Sequence, residues 1–143
     1  FERRRRIKRA AFDNEEERYR QDRTALKNIK ETTAVSNSGV SINEFDFGEE
    51  LGNNIKILKN INNTEDGYYL ILAVHSDIEK RNDFVRKVVA SGNKNIDFFY
   101  DVSTSKYYIY SKKENSINNA REALKTKGDQ PYKSKMSIVK IEN

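Results

Sequence analysis

Apolar and polar positions begin to follow regular patterns near Gly67. Residues 68–74 form an apolar, aromatic and partly β-branched run, which predicts a central strand. A helix is predicted over residues 78–91, because Asp77 can cap its start and Gly92 can end it. The apolar residues of this segment fall on one helical face, so the helix is expected to pack against the sheet.

The same order of elements recurs further along the chain. Residues 96–102 and 106–110 are apolar runs separated by a short polar turn, and we predict that they form a hairpin. A second helix is predicted over residues 117–127, and the run at 136–141 predicts a final strand. Two such units interleave into an α+β, ferredoxin-like βαββαβ fold, in which a four-stranded antiparallel sheet carries both helices on one face and leaves the other face bare.

Two zones of different character precede this region. Residues 1–35 are rich in charged helix-forming residues and contain no Gly or Pro, which predicts a charged helical arm. The apolar stripe of the arm is thin, so we expect a solvated helix that docks weakly or only with a partner. Residues 36–66 have the composition of an extended linker, with a candidate short strand at 54–60. The chain is therefore divided into the arm (1–35), the linker (36–66) and the βαββαβ domain (67–143).

The sheet face without helices is the predicted binding surface. Strand alternation places Tyr69 and Ile71 of the first strand on this face, and it does the same for Tyr108, Tyr110 and Lys112 of the third strand. An exposed face this rich in aromatic rings is expected to bind a ligand, because a Tyr ring can stack on a sugar, a base or a protein side chain.

The sequence offers no constellation of catalytic or metal-binding residues. Cysteine is absent, and the single histidine, His75, has no spaced set of further ligands. Asp97 and Asp101 share one face of a predicted strand, where solvated acids are commoner than an acid–base pair. A Gly-rich phosphate loop and a nucleophile elbow are missing as well. We therefore expect no enzymatic activity, no cofactor, no metal and no small-molecule substrate.

The positive charge of the chain is concentrated in the arm. The net charge is +5, and residues 1–35 hold 11 Lys and Arg against 7 Asp and Glu, whereas residues 36–143 hold 16 against 15. The arm is expected to dock onto an acidic protein surface or anionic lipid headgroups; a solvated tail and a nucleic-acid contact are the alternatives. The predicted docking residues are Arg3, Arg4, Arg5, Arg6, Lys8 and Arg9.

The strand–helix halves resemble the SPOR domain, a bacterial cell-envelope module with the same βαββαβ order. Residues 68–75 are similar to the opening strand of that family, and residues 107–110 with the helix at 118–124 are similar to its second half. The resemblance implies that the sheet face binds peptidoglycan glycan strands that lack peptides. The family's strand glutamine and glycine fall on Ile71 and Ala73, so a protein ligand is favoured over glycan.

Several stretches are also similar to the periplasmic C-terminal region of Bacteroidota outer-membrane proteins of the PorP/SprF group. The similarity covers residues 67–85, 98–102, 106–110 and 134–142. Those proteins are associated with type IX secretion and gliding motility. The resemblance implies an accessory segment in the periplasm, near the outer membrane, whose arm and linker thread over partner subunits.

These observations favour a non-enzymatic binding module of the cell envelope that holds a partner protein or peptidoglycan. No run approaches the roughly 18–20 apolar residues that a membrane helix needs. The alternative is an RRM-like domain that binds single-stranded RNA, since that fold also places aromatic residues on its central strands. The near-neutral charge of residues 36–143 gives little attraction for phosphates, which disfavours RNA. A purely structural domain within a larger assembly is the third hypothesis.

Overall fold

The computed structural model describes residues 2–36 and 39–143, with side chains from residue 14 onward. The helices and strands predicted after residue 67 are confirmed, although β4 continues beyond the predicted end at Tyr110. Along the described residues, the elements are α1 (Glu2–Thr32), β1 (Lys56–Leu58), β2 (Gly67–His75), α2 (Ile78–Ala90), β3 (Asp97–Asp101), β4 (Lys106–Glu114), α3 (Ile117–Lys125) and β5 (Ser137–Ile141).

The five strands of the described residues form one mixed sheet in the order β1-β5-β2-β4-β3. β2 pairs antiparallel with β4 and β5, and β3 pairs antiparallel with β4. β1 pairs parallel with β5, and the whole sheet is curled into a half-barrel. The predicted four-stranded antiparallel ferredoxin-like sheet is therefore wrong. The reason is that the linker supplies a strand of its own, which pairs with the edge of β5 that the prediction had left free.

α2 and α3 pack on one face of the sheet, which we call the helix face. Asp77 caps α2 as predicted, because its carboxylate accepts a hydrogen bond of 2.9 Å from the Glu79 N–H group. Gly92 follows the helix with a φ of +102°, a backbone conformation that suits glycine. The buried side chains that α2 contributes to this core are Phe84, Val85, Val88 and Val89.

The opposite face of the sheet, which we call the second face, is covered by the chain itself. Linker residues Leu51, Leu58 and Ile61 pack there against the sheet. The sheet side chains buried in this second cluster are Tyr69, Ile71, Val74, Phe99, Tyr108, Val139 and Ile141. The prediction of a bare face is therefore wrong, because the scattered apolar residues of the linker bury their own surface against this face.

β2 changes its alternation halfway along. Ile71 lies in the second-face cluster, but Leu72 and Ala73 both lie in the core of the helix face before Val74 returns to the second face. The register of β2 against β4 shifts at the same place, between Ile71 and Ala73. Such irregularities change the direction of side chains. Strict alternation with Tyr69 and Ile71 would therefore place Ala73 on the second face, whereas it lies on the helix face.

Part of the linker is fixed to the end of β2. The Val74 N–H group donates a 3.1 Å hydrogen bond to the Phe47 carbonyl, and the Glu49 N–H group donates a 3.0 Å bond to the Val74 carbonyl. Gly48 lies between these bonds with a φ of +69°, and an added Cβ would lie 1.8 Å from the Val74 carbonyl oxygen. Only glycine allows the linker to approach the strand this closely.

The C-terminal half of α1 is docked on the domain. Leu26 and Ile29 are buried in the core of the helix face. Asp22 is 4 % exposed, and its carboxylate accepts hydrogen bonds of 2.8 Å from Arg81 of α2 and 3.1 Å from the Tyr107 hydroxyl. The weak docking expected of the arm is therefore wrong for this half, which is part of the folded domain.

Candidate binding cleft at the rim of the sheet

The structure separates the five predicted sheet-face residues. Tyr69, Ile71 and Tyr108 are 2 %, 1 % and 0 % exposed. Tyr110 is half-buried, and Lys112 is exposed and forms an ion pair of 2.9 Å with Glu114 of the same strand. Tyr110 is thus the one aromatic member of this set that reaches solvent to a substantial extent.

Tyr108 is enclosed by neighbours from the sheet and the linker. Its ring stacks on Phe99, with centroids 5.2 Å apart and an interplanar angle of 12°. Lys56 of β1 donates a 3.2 Å hydrogen bond to the Tyr108 hydroxyl. The strand that the fold prediction lacked is therefore also what closes the middle of the predicted binding surface.

A cleft with a volume of about 300 Å³ remains where the second face meets α1, and we call it the tyrosine cleft. The Tyr69 and Tyr110 rings meet edge to face in its wall, with centroids 4.8 Å apart. α1 and the turn before β2 form other parts of the lining. Their main contributions are Arg18, Tyr19 and Arg23 from α1, and Asn62, Asn63 and Glu65 from the turn.

The charged groups of the tyrosine cleft neutralise one another. Each of its three cationic side chains lies within ion-pair distance of a carboxylate, so the lining presents aromatic and polar groups without an excess of either charge. The pairs are Arg18 with Glu15 and Asp22, Arg23 with Asp97 at 2.9 Å, and Lys113 with Glu65 at 2.7 Å.

The hydroxyls of Tyr69 and Tyr110 in the cleft wall stay protonated at neutral pH. Desolvation, helped by the carboxylates of Glu65 and Asp66, raises the pKa of Tyr69 to about 12. Desolvation also raises the pKa of Tyr110, with a further contribution from Asp97. The Tyr69 hydroxyl donates a 2.6 Å hydrogen bond to the Glu65 carbonyl, which holds the turn against the ring. These phenols therefore act as hydrogen-bonding and stacking groups.

Arg23 carries a hydrogen-bond donor that the described part of the chain leaves without a partner. Its Nη2 group donates a 2.9 Å bond to the Phe98 carbonyl, and its Nη1 group pairs with Asp97. Its Nε group is buried and makes no hydrogen bond with the described residues. Leaving a buried donor without a hydrogen bond costs free energy, which the two bonds of the other guanidinium nitrogens offset.

The contribution of α1 to the cleft was missed by the sequence analysis. The sequence predicts a solvated arm for Arg18, Tyr19 and Arg23, because the charged residues Glu15 and Asp22 interrupt its apolar stripe. The predicted docking residues Arg3, Arg4, Arg5, Arg6, Lys8 and Arg9 belong to α1, but their side chains lie outside the described residues.

The residues considered for metal binding or acid–base chemistry have structural partners. In the described part of the chain, no group of three or more His, Cys, Asp or Glu residues could hold a metal ion. The ring Nε2 of His75 lies 2.6 Å from the Asp46 carbonyl oxygen, and the ring is 4 % exposed. Asp101 accepts a 2.7 Å hydrogen bond from the Ser103 hydroxyl in the β3–β4 turn. These contacts fix loops and turns.

Comparisons with protein-family models, curated proteins and solved structures found no match. Among the described residues, no helix combines the length and the apolar character needed to cross a membrane. The resemblances to the SPOR domain and to the PorP/SprF group therefore stay predictions from the sequence.

Proposed function

We propose that this chain is a non-catalytic binding module of the bacterial cell envelope, and that its tyrosine cleft holds a glycan strand of peptidoglycan. The observation that carries the proposal is the half-buried Tyr110 ring in a cleft whose three cations are all paired. A surface of aromatic rings and balanced charges suits a neutral polar ligand better than an anion or a cation.

In a glycan strand without peptides each muramic acid carries a free lactyl carboxylate, so the balanced cleft suits the neutral N-acetylglucosamine rings. Their apolar faces can stack on the exposed part of Tyr110, and their hydroxyls can bond to the amides of Asn62 and Asn63. Single-stranded RNA fits less well, because it requires an excess of positive charge and an accessible row of rings, whereas Tyr108 is enclosed.

The proposed location is the periplasm, at the outer membrane, in an assembly of type IX secretion or gliding motility. Both resemblances support this location. The basic run of the arm supports a second contact, with an acidic protein of that assembly, because the segment from Arg3 to Arg9 adds six positive charges in seven residues.

Sedimentation with purified cell-wall sacculi tests the role of the tyrosine cleft. Tyr110→Ala is expected to weaken retention by sacculi that are partly stripped of peptides, and that still sediment, by roughly 2- to 12-fold, the range that corresponds to one aromatic contact. Tyr68→Ala is the matched control, because Tyr68 is another half-buried tyrosine, which packs on the helix face outside the cleft. Equal retention of both variants and the unaltered chain would remove the cleft from the proposal.

A further inference from the structure

A second cleft opens beside β2, between the linker and the turn that precedes β5. Its volume is about 420 Å³, which lies within the roughly 300–1,000 Å³ typical of ligand sites. The floor is the stretch of β2 from Ile71 to Val74. We call it the edge cleft, and it shares no lining residue with the tyrosine cleft.

The edge cleft exists because β2, which is paired with β4 on its other side, lacks a neighbouring strand on the β5 side over a short distance. β5 ends its pairing with β2 at Ile71, opposite Ser137, and the linker begins to pair at Val74. Between these points Leu72 and Ala73 both direct their side chains to the helix face. The gap therefore lies along the edge of β2, and Phe47, Leu124 and Met136 of the helix-face cluster line it.

The lining combines apolar side chains from three separate segments. Phe47 and Leu51 come from the linker, Leu124 comes from α3, and Met136 comes from the turn before β5. Phe47, Leu51 and Leu124 are each only partly buried. An alkyl group in the cleft would cover their exposed parts, and burial of this apolar surface favours binding.

The rim of the edge cleft carries a cation that has no carboxylate partner. Lys127 reaches only the Ser134 carbonyl, at 3.4 Å, and it forms no ion pair with any described residue. The acids of the rim are already paired, Glu49 with Lys106 at 2.7 Å and Glu50 with Lys135 at 3.3 Å. The surplus charge of the rim is therefore positive and lies next to apolar surface.

We infer that the edge cleft binds an aliphatic carboxylate, with the alkyl chain on the apolar lining and the carboxylate at Lys127. A volume of about 420 Å³ accommodates a medium-chain acid. This site is separate from the tyrosine cleft, and the inference does not depend on the proposed function.

Titration of the ¹⁵N-labelled chain with sodium octanoate, followed by NMR, tests the inference. Saturable shifts are expected at Leu72, Ala73 and Lys127, and octan-1-ol is expected to bind more weakly. Lys127→Gln is expected to weaken octanoate binding at least about fivefold, because a charge-assisted hydrogen bond is lost. Lys125→Gln is the matched control, since Lys125 is an exposed residue of α3 outside the cleft.

A second pair of variants tests the location without changing charge. Ser134→Trp places an indole at the exposed rim and is expected to abolish octanoate binding, whereas Asn118→Trp, at an exposed position of α3, is expected to leave it unchanged. Equal binding by Lys127→Gln and Lys125→Gln would overturn the inference. The inference would also be overturned if a leucine-terminated peptide bound to the edge cleft and octanoate did not. Tyr110→Ala should bind octanoate like the unaltered chain. The proposed glycan binding and the proposed octanoate binding can therefore be refuted independently.

Discussion

Asp22 fixes α1 to the rest of the protein. Its carboxylate is surrounded by Arg81 of α2, the Tyr107 hydroxyl of β4 and Arg18 of its own helix. Desolvation and the nearby Asp22 charge raise the pKa of Tyr107, so this hydroxyl remains a donor. A buried ion pair of this kind adds little net stability, but the loss of one partner leaves the other charge uncompensated.

Asp22→Ala is therefore expected to lower the free energy of unfolding by roughly 3–5 kcal/mol, because the Arg81 guanidinium stays buried without a counter-charge. Urea unfolding followed by circular dichroism measures this change. Glu17→Ala on the same helix is the control, and a change within about 0.5 kcal/mol is expected, because the Glu17–Arg20 pair is exposed. Similar unfolding midpoints for the two variants would show that Asp22 is not what holds α1.

The role of Asp22 could not be predicted from its surroundings in the sequence. Asp22 and Glu15 interrupt the apolar stripe of the arm, which is typical of a solvated helix. The partner that reverses this interpretation, Arg81, is 59 positions away along the chain. Conversely, the cap at Asp77 and the stop at Gly92 were predictable, because each acts on the residues next to it.

The elements differ in how much of their packing can be inferred from sequence. β2, α2, the β3–β4 hairpin, α3 and β5 have apolar patterns long enough to define them and the face they bury. β1 has three residues, and the linker residues that cover the second face are scattered. Such sparse patterns specify neither a strand partner nor a covering role, and this is why the fold class was wrong.

The tyrosine cleft exists only while α1 is docked on the domain, because the docked half of α1 supplies part of the cleft lining. Leu26→Ala combined with Ile29→Ala is expected to release this half, since each truncation of a buried side chain costs roughly 2–5 kcal/mol. The released helix should become sensitive to trypsin at Arg18 and Arg23, and retention by sacculi should fall. Octanoate binding at the edge cleft should persist, since α1 does not line it.

Lys27→Ala combined with Glu31→Ala is the control for this experiment. Both residues are exposed on α1, so trypsin resistance and retention by sacculi should stay at the level of the unaltered chain. Retention that persists after the release of α1 would show that the helix is dispensable for the tyrosine cleft.

At the scale of the whole molecule, the charge distribution separates two modes of binding. Residues 36–143 are nearly neutral, and the cations of the tyrosine cleft are paired, whereas the arm carries most of the net charge. Salt screens unpaired exposed charges far more than it affects stacking and apolar contacts. Glycan binding and arm-mediated protein binding should therefore respond differently to ionic strength.

Retention by sacculi that are partly stripped of peptides is expected to change less than about twofold between about 50 mM and about 500 mM NaCl, while capture of an acidic partner protein should decrease steeply. A variant with Arg3, Arg4, Arg5 and Arg6 replaced by Gln should retain sacculi binding but lose the salt-sensitive capture. Sedimentation and pull-down at several salt concentrations provide the comparison. Steep salt dependence of sacculi retention would assign the glycan contact to the arm instead.

The position of β5 has a consequence for biosynthesis. β5 is the last of the five described strands to be synthesised, yet it lies between β1 and β2 and is the element that joins them. Until β5 has left the exit tunnel, the linker strand lacks its partner, and the nascent domain keeps an unsatisfied edge on β2. A truncation before Ser137 would withhold the whole strand and leave both β1 and β2 without it.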